Sequence, residues 1–152
     1  MEKLSEKLLE KLPKKTAYTP AELKRLQILD RRYRNFARQL FADRVAFYHP
    51  ITGGNYTSIT IRDQKTRWGS CSSRGTLSFN YRLIFAPPQV LDYVVVHELC
   101  HLTHMNHSKD FWDQVASVMP EYKTHRLWLK EHGQELTLTH YLEQKGIPVT
   151  LR

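Results

Sequence analysis

The stretch that decides the fold reads LDYVVVHELCH and spans residues 91–101. Two prolines at 87 and 88 precede it, which suits the start of a helix. Three consecutive valines favour a strand by propensity. The run from Gln89 to His104 is nevertheless too long for one strand. We therefore predict a buried helix over residues 89–104.

Two histidines and a glutamate on this helix form the pattern HExxH. Residues four apart lie on the same face of a helix, about 6 Å apart along its axis. The imidazoles of His97 and His101 can therefore converge on one metal ion. Glu98 lies one step round the helix and is placed to accept a proton from a water held on the metal. This arrangement is typical of zinc peptidases.

A catalytic zinc needs a third protein ligand and an open fourth position. We expect the helix to end near Met105, where a turn can bring His107 back towards the metal. The competing candidate is His104, but in a continuous helix it lies too far from His97 to share its ion. We expect one Zn²⁺ per chain.

Two helices are predicted upstream of the motif. Leucines at positions 4, 8, 9 and 12 indicate a short amphipathic helix that ends before Pro13. At Thr19-Pro20-Ala21-Glu22 an N-cap, a proline and a capping-box glutamate predict a long helix to about residue 48. Its expected apolar stripe consists of Leu23, Leu26, Tyr33, Phe36, Leu40 and Phe47.

The middle third of the chain predicts a small antiparallel sheet. Residues 56–61 are rich in β-formers, and residues 76–81 alternate between polar and apolar side chains. The second of these strands leads almost directly into the HExxH helix. We therefore expect Leu77 to Asn80 to form the sheet edge along which an extended peptide would bind.

Two further helices are predicted after the histidines. Ser108 can cap the first, whose inner face consists of Phe111, Trp112, Val115 and Val118. The second begins at Pro120, places Leu127 inside and stops at Gly133. Three residues there, Tyr122, His125 and Arg126, are candidates for stabilising a reaction oxyanion, and the sequence does not choose among them.

Composition limits the class of protein. With 152 residues, of which 41% are hydrophobic and 11% aromatic, the chain can bury a core, which excludes the disordered class. No run of about 18 apolar residues is present, so we expect no membrane association. The N-terminus lacks the apolar core of a secretory signal. Two cysteines cannot build a disulfide framework, and a cytoplasmic location is expected.

The formal net charge of +8 raises the question of whether the protein binds nucleic acid. Much of the excess lies before residue 45, where the simplest interpretation is a solvated helix face. The alternative is weak nucleic-acid association through the basic N-terminal helices, including Arg31, Arg32 and Arg34. In that alternative the metal would be structural, although structural zinc normally has four protein ligands that include cysteines.

Three strings together resemble the YgjP-like metallopeptidases, relatives of the SprT-type and WLM zinc peptidases in the zincin-like group. They are RWGSCS at residues 67–72, LDYVVVHELCH at 91–101, and NHS at 106–108 followed by Phe111-Trp112. The resemblance covers about residues 20–135. A methionine turn of the metzincin type at Ser117-Val118-Met119 is the weaker alternative, because helical spacing runs into it and favours a core methionine.

The resemblance implies an α+β, zincin-like fold with long N-terminal helices, a small sheet, an HExxH active-site helix and C-terminal helices. It implies one domain over residues 1–152, with a helical extension at about 1–50 and a catalytic core at about 56–135. It also implies His97, His101 and His107 as zinc ligands. Glu98 would be the general base that activates a metal-bound water to hydrolyse peptide bonds. The resemblance implies no particular substrate beyond a peptide or protein.

Overall fold

The computed structural model describes residues 18–148, so the short helix predicted over the first dozen residues lies outside it. Within this range the chain forms five α-helices and a three-stranded sheet in an α+β arrangement. The elements are α1 (Pro20–Thr52), β1 (Ser58–Arg62), β2 (Gly69–Cys71), β3 (Thr76–Asn80), α2 (Pro88–Cys100), α3 (Lys109–Val118), α4 (Tyr122–His132) and α5 (Leu138–Gln144). Two short 3₁₀ helices, Tyr81–Phe85 and Gly133–Glu135, follow β3 and α4.

Helix α1 begins at the predicted capping box. The Thr19 hydroxyl accepts a hydrogen bond from the Glu22 backbone N–H at 3.2 Å, and the Glu22 carboxylate accepts one from the Thr19 N–H at 3.0 Å. These reciprocal bonds satisfy two donors that a helix start leaves free. The helix runs past Pro50 and ends at Gly53, whose φ of 75° suits a residue without a Cβ.

The buried face of α1 matches the predicted stripe only in part. Ala37, Phe41 and Val45 are fully buried, four residues apart, and Phe41 stacks on Phe79 of β3 with ring centres 4.7 Å apart. Of the predicted stripe, Leu26 is fully buried and Tyr33 and Leu40 pack against the core, whereas Phe36 and Phe47 are both 56% exposed. The prediction was wrong for these two phenylalanines because the long helix carries apolar residues on two faces, and tertiary packing selects one of them.

The sheet is mixed, so the predicted antiparallel sheet is wrong. The strand order is β1-β3-β2, with β1 parallel and β2 antiparallel to β3. Strand β3 is therefore central, and the expected edge at Leu77 to Asn80 is also wrong. The reason is β2, a three-residue strand that pairs Gly69 with Phe79 and occupies that side of β3. Its short polar sequence carries no strand signal of its own.

Helix α2 confirms the predicted buried helix, although it ends at Cys100 instead of His104. All three valines at 94–96 are buried, so the helix is apolar nearly all round and lies inside the protein. Burial compensates for the weak helix propensity of valine. A turn over residues 101–103 follows, in which the His104 N–H bonds to the Cys100 carbonyl at 3.0 Å.

An ion pair joins α1 to α2. Both oxygens of the Asp92 carboxylate accept hydrogen bonds from the Arg44 guanidinium, each at 2.8 Å. The Tyr48 hydroxyl donates a further hydrogen bond at 3.0 Å to the same carboxylate. Since two donors of one rigid guanidinium are engaged, this contact fixes the register between the two helices.

The helices that follow α2 are placed largely as predicted. Ser108 caps α3, with Phe111 and Val115 buried, and α4 is followed by Gly133. Leu127 is 53% exposed and was wrongly expected inside; Leu129 is buried instead. Helix α5 was not predicted. Within the described part of the chain, no helix has the length and apolar character needed to cross a membrane.

Candidate metal centre and active site

Three histidines meet where α2 gives way to the following loop. His97 lies in the last turn of α2, His101 directly after its end, and His107 in the loop before α3. Their Nε2 atoms are 3.2 Å apart for His97 and His101, 3.1 Å for His101 and His107, and 3.3 Å for His97 and His107. The side chain of His104, the competing candidate, is not part of this group.

The spacing of these three nitrogens fits a metal ion. Zinc–nitrogen bonds of about 2.0–2.1 Å in a tetrahedron place neighbouring ligand atoms about 3.3–3.4 Å apart. Hydrogen bonding does not explain all three contacts, because a neutral imidazole has a single N–H, and a ring that carries it on Nδ1 has only a lone pair on Nε2. The three histidines therefore form a donor set that could hold a divalent metal ion.

Two contacts orient the rings so that Nε2 faces the cluster. His101 Nδ1 lies 2.9 Å from the carbonyl oxygen of His104. Since a carbonyl only accepts, Nδ1 carries the proton and Nε2 keeps its lone pair. The Tyr93 hydroxyl lies 3.3 Å from Nδ1 of His97. Such outer contacts commonly set the orientation of metal-binding histidines.

Aromatic side chains of α3 pack against the same rings. Phe111 stacks on His101 with ring centres 4.4 Å apart, and Trp112 lies 6.0 Å from His107 in a stacked orientation. Trp112 also meets the edge of His97 at 5.6 Å. These contacts restrict the imidazoles, which favours a preformed site.

The environment disfavours protonation of His97 and His101 by lowering the pKa of each ring. Burial lowers the pKa of His97 to about 3, and the neighbouring His101, His107 and Arg126 lower it further in the same direction. Burial also lowers the pKa of His101. Neutral imidazoles carry the lone pairs that a metal requires.

Glu98 lines the same cavity as His97 and is only 5% exposed. Burial raises the pKa of its carboxyl group to about 8, and the nearby Arg67 acts in the opposite direction. Among residues 18–148, no side chain donates a hydrogen bond to this carboxylate. A carboxyl group whose pKa lies close to neutrality can both accept and return a proton.

A cavity of about 330 Å³ opens next to Glu98. It lies between β2, α2 and α4 and is lined by Trp68, Gly69, Tyr93, Val94, His97, Glu98, Arg126, Leu129 and Lys130. Sequence reasoning missed Gly69, Leu129 and Lys130, because they lie about 30 residues on either side of the motif. Of the three oxyanion candidates, Arg126 lines the cavity, whereas Tyr122 stacks on Trp112 outside it.

Gly69 brings β2 against the glutamate. A Cβ atom at this position would lie 2.9 Å from Oε2 of Glu98 and 3.1 Å from Cγ1 of Val94. Only a glycine permits so close an approach of the strand. The strand that borders the cavity is therefore β2 and not β3.

Comparison with known proteins agrees with this site. The structure resembles the crystal structure of the metallopeptidase zymogen of Pyrococcus abyssi abylysin, with a TM-score of 0.53 and 26% sequence identity, over 59% of this chain and 93% of that one. No curated protein matches the chain. The fold and the histidine group define a metallopeptidase, a hydrolase of peptide bonds. Because the chain matches the YgjP-like, metallopeptidase domain over residues 3–132, it belongs to the YgjP-like family.

Proposed function

We propose that this metallopeptidase binds one zinc ion per chain through the Nε2 atoms of His97, His101 and His107, and uses Glu98 as its general base. The observation that carries the proposal is the triangle of nitrogens 3.1–3.3 Å apart beside a buried carboxylate. Three histidines without a fourth protein ligand are typical of catalytic zinc rather than structural zinc.

When bound, zinc would polarise the scissile carbonyl and lower the pKa of water. Glu98 accepts a proton from the attacking water and returns it to the leaving nitrogen. Its raised pKa supports this double role, because the protonated and ionised forms are close in free energy near neutral pH. Tyr93 holds the ring of His97 in place during the reaction.

We further propose that an extended substrate binds along β2. Within residues 18–148 this strand pairs only with β3, so its other side is an edge that can accept a peptide backbone. Gly69 places that edge in contact with Glu98. A bound peptide would thereby place its scissile bond next to Glu98 and the three histidines.

Metal content and hydrolysis measured together test the proposal. Wild-type protein is compared with Glu98→Gln, His107→Ala and the control His104→Ala by elemental analysis and by cleavage of denatured casein. We expect one zinc per chain in the wild type, in Glu98→Gln and in His104→Ala, and weakened binding in His107→Ala. Glu98→Gln should lose hydrolysis. A wild type without stoichiometric metal, even after zinc is supplied, would contradict the proposal; nickel or cobalt in its place would change only the metal.

The domain organisation and the location of the protein are also proposals. We infer a single catalytic domain over residues 1–152 and a cytoplasmic location.

Nucleic-acid association is less well supported, because Arg34 is engaged by Asp30 at 2.8 Å and by Asp63 at 2.9 Å. An arginine held by two carboxylates is a weak phosphate ligand.

A further inference from the structure

The wall of the cavity formed by α4 carries two cations. Arg126 and Lys130 are four residues apart on α4, so they lie on the same face, and both line the cavity. Neither has an acidic partner within 4.0 Å among the residues that the structure describes. Glu98 is the one carboxylate among the lining residues.

Arg126 is held in position by an aromatic ring. Its guanidinium carbon lies 4.9 Å from the ring centre of Trp112, which in turn stacks on Tyr122 at 5.2 Å. A cation over an indole ring is attracted by the negative face of the ring. The ring contact therefore favours a position of the guanidinium at the wall of the cavity that His97 also lines.

The remaining walls of the cavity are largely apolar. Trp68 contributes hydrocarbon surface from the loop before β2, Val94 from α2 and Leu129 from α4. A pocket with apolar walls and a few convergent polar groups is typical of a site for one side chain or a small ligand. Cations at one wall add a preference for a ligand that ends in a negative charge.

We propose that this cavity is a specificity subsite for a carboxylate next to the scissile bond, with Arg126 and Lys130 as the residues that determine the preference. The carboxylate comes either from an Asp or Glu side chain or from a free peptide C-terminus. The inference rests on the proposed function, because it assumes that peptides are cleaved beside Glu98.

Matched peptides test this subsite. Octapeptides that differ at one position, Glu against Gln, are each prepared as free acids and as C-terminal amides. Their kcat/KM values are measured with zinc-supplied wild type, Arg126→Gln, Lys130→Gln and the double variant. Lys123→Gln serves as the control, since Lys123 is an exposed cation on the same helix that does not line the cavity.

We expect wild type to prefer the peptide with the carboxylate by about tenfold, as for one charge-assisted hydrogen bond at a partly solvated site. The preference should fall at least about threefold in each single variant, vanish in the double variant, and persist in Lys123→Gln. A Glu-over-Gln preference identifies a side chain as the source, and an acid-over-amide preference identifies the C-terminus. Equal rates for all the peptides, or a preference that survives the double variant, would overturn the subsite.

A binding measurement separates this inference from the proposed function. The same peptides are titrated into Glu98→Gln, with and without the two α4 substitutions, and tryptophan fluorescence is followed. Carboxylate-dependent binding that disappears with the α4 substitutions supports the subsite. If wild type then hydrolyses no peptide, the proposed function is contradicted while the subsite is still supported. Hydrolysis without any carboxylate preference overturns the subsite alone.

Discussion

Substitution of Gly69 by alanine should disable catalysis while leaving the metal site in place. The new Cβ would lie 2.9 Å from Oε2 and 3.0 Å from Cγ of Glu98, about 0.5 Å inside the ordinary contact limit of 3.4 Å. The backbone of Gly69 does not have a positive φ, so alanine introduces no conformational strain there. The effect of the substitution is therefore steric and falls on the side chain of Glu98.

The magnitude follows from this overlap. Both Glu98 and Val94 belong to the buried helix α2, so β2 and α2 must separate or the carboxylate must rotate away. Displacements approaching 1 Å at a reacting group cost up to about 100-fold in rate. We expect kcat to fall by about 10- to 100-fold. Overpacking should lower the free energy of unfolding by about 1–3 kcal/mol.

Three measurements check the reasoning. Casein hydrolysis gives the rate, elemental analysis the zinc content, and thermal denaturation the stability. Ser70→Ala is the control, because successive residues of a strand point to opposite faces and Ser70 faces away from Glu98. If Gly69→Ala retains wild-type activity and stability, β2 does not hold Glu98 in place. If it loses zinc as well, the change has spread beyond the glutamate.

Three further predictions concern the surroundings of the site. Tyr93→Phe removes the hydroxyl beside His97. A chelator competition should show that its zinc affinity is weakened by about tenfold, with little change in the free energy of unfolding. Asp92→Ala leaves Arg44 unpaired between α1 and α2 and should lower the free energy of unfolding by about 1–2 kcal/mol in urea titrations. Lys109→Gln is the control for Asp92→Ala: it removes the exposed ion pair between Lys109 and Asp113 and should leave the free energy of unfolding unchanged. Removal of zinc by a chelator should lower the melting temperature of the wild type more than that of His107→Ala, and equal shifts would contradict a role for His107 in metal binding.

Local sequence signals account for the features that were predicted correctly. The capping box at Thr19 and Glu22 and the Ser108 cap each depend on residues three apart, so neighbouring side chains suffice to specify them. The placement of His97 next to Glu98 and four residues before His101 is likewise a property of one helical turn. The family resemblance extended this knowledge to the class of enzyme.

Tertiary structure decided the features that depend on distant contacts. The parallel pairing of Ser58 with Thr76 and the insertion of β2 at the edge of β3 join segments whose own sequences fit other sheets equally well. The exposure of Phe36 shows that packing, not helical periodicity alone, selects the buried face of α1.

By itself, the sequence determined which residues form the candidate site, because the three histidines and Glu98 lie within eleven consecutive residues and a helix with one turn after it brings the histidines together. Only the tertiary structure decided what surrounds them. The close approach of Gly69 and the cations Arg126 and Lys130 come from elements about 30 residues away on either side of the motif. Their positions depend on how β2 and α4 pack against α2, which is settled by burial of the whole core and not by any local pattern.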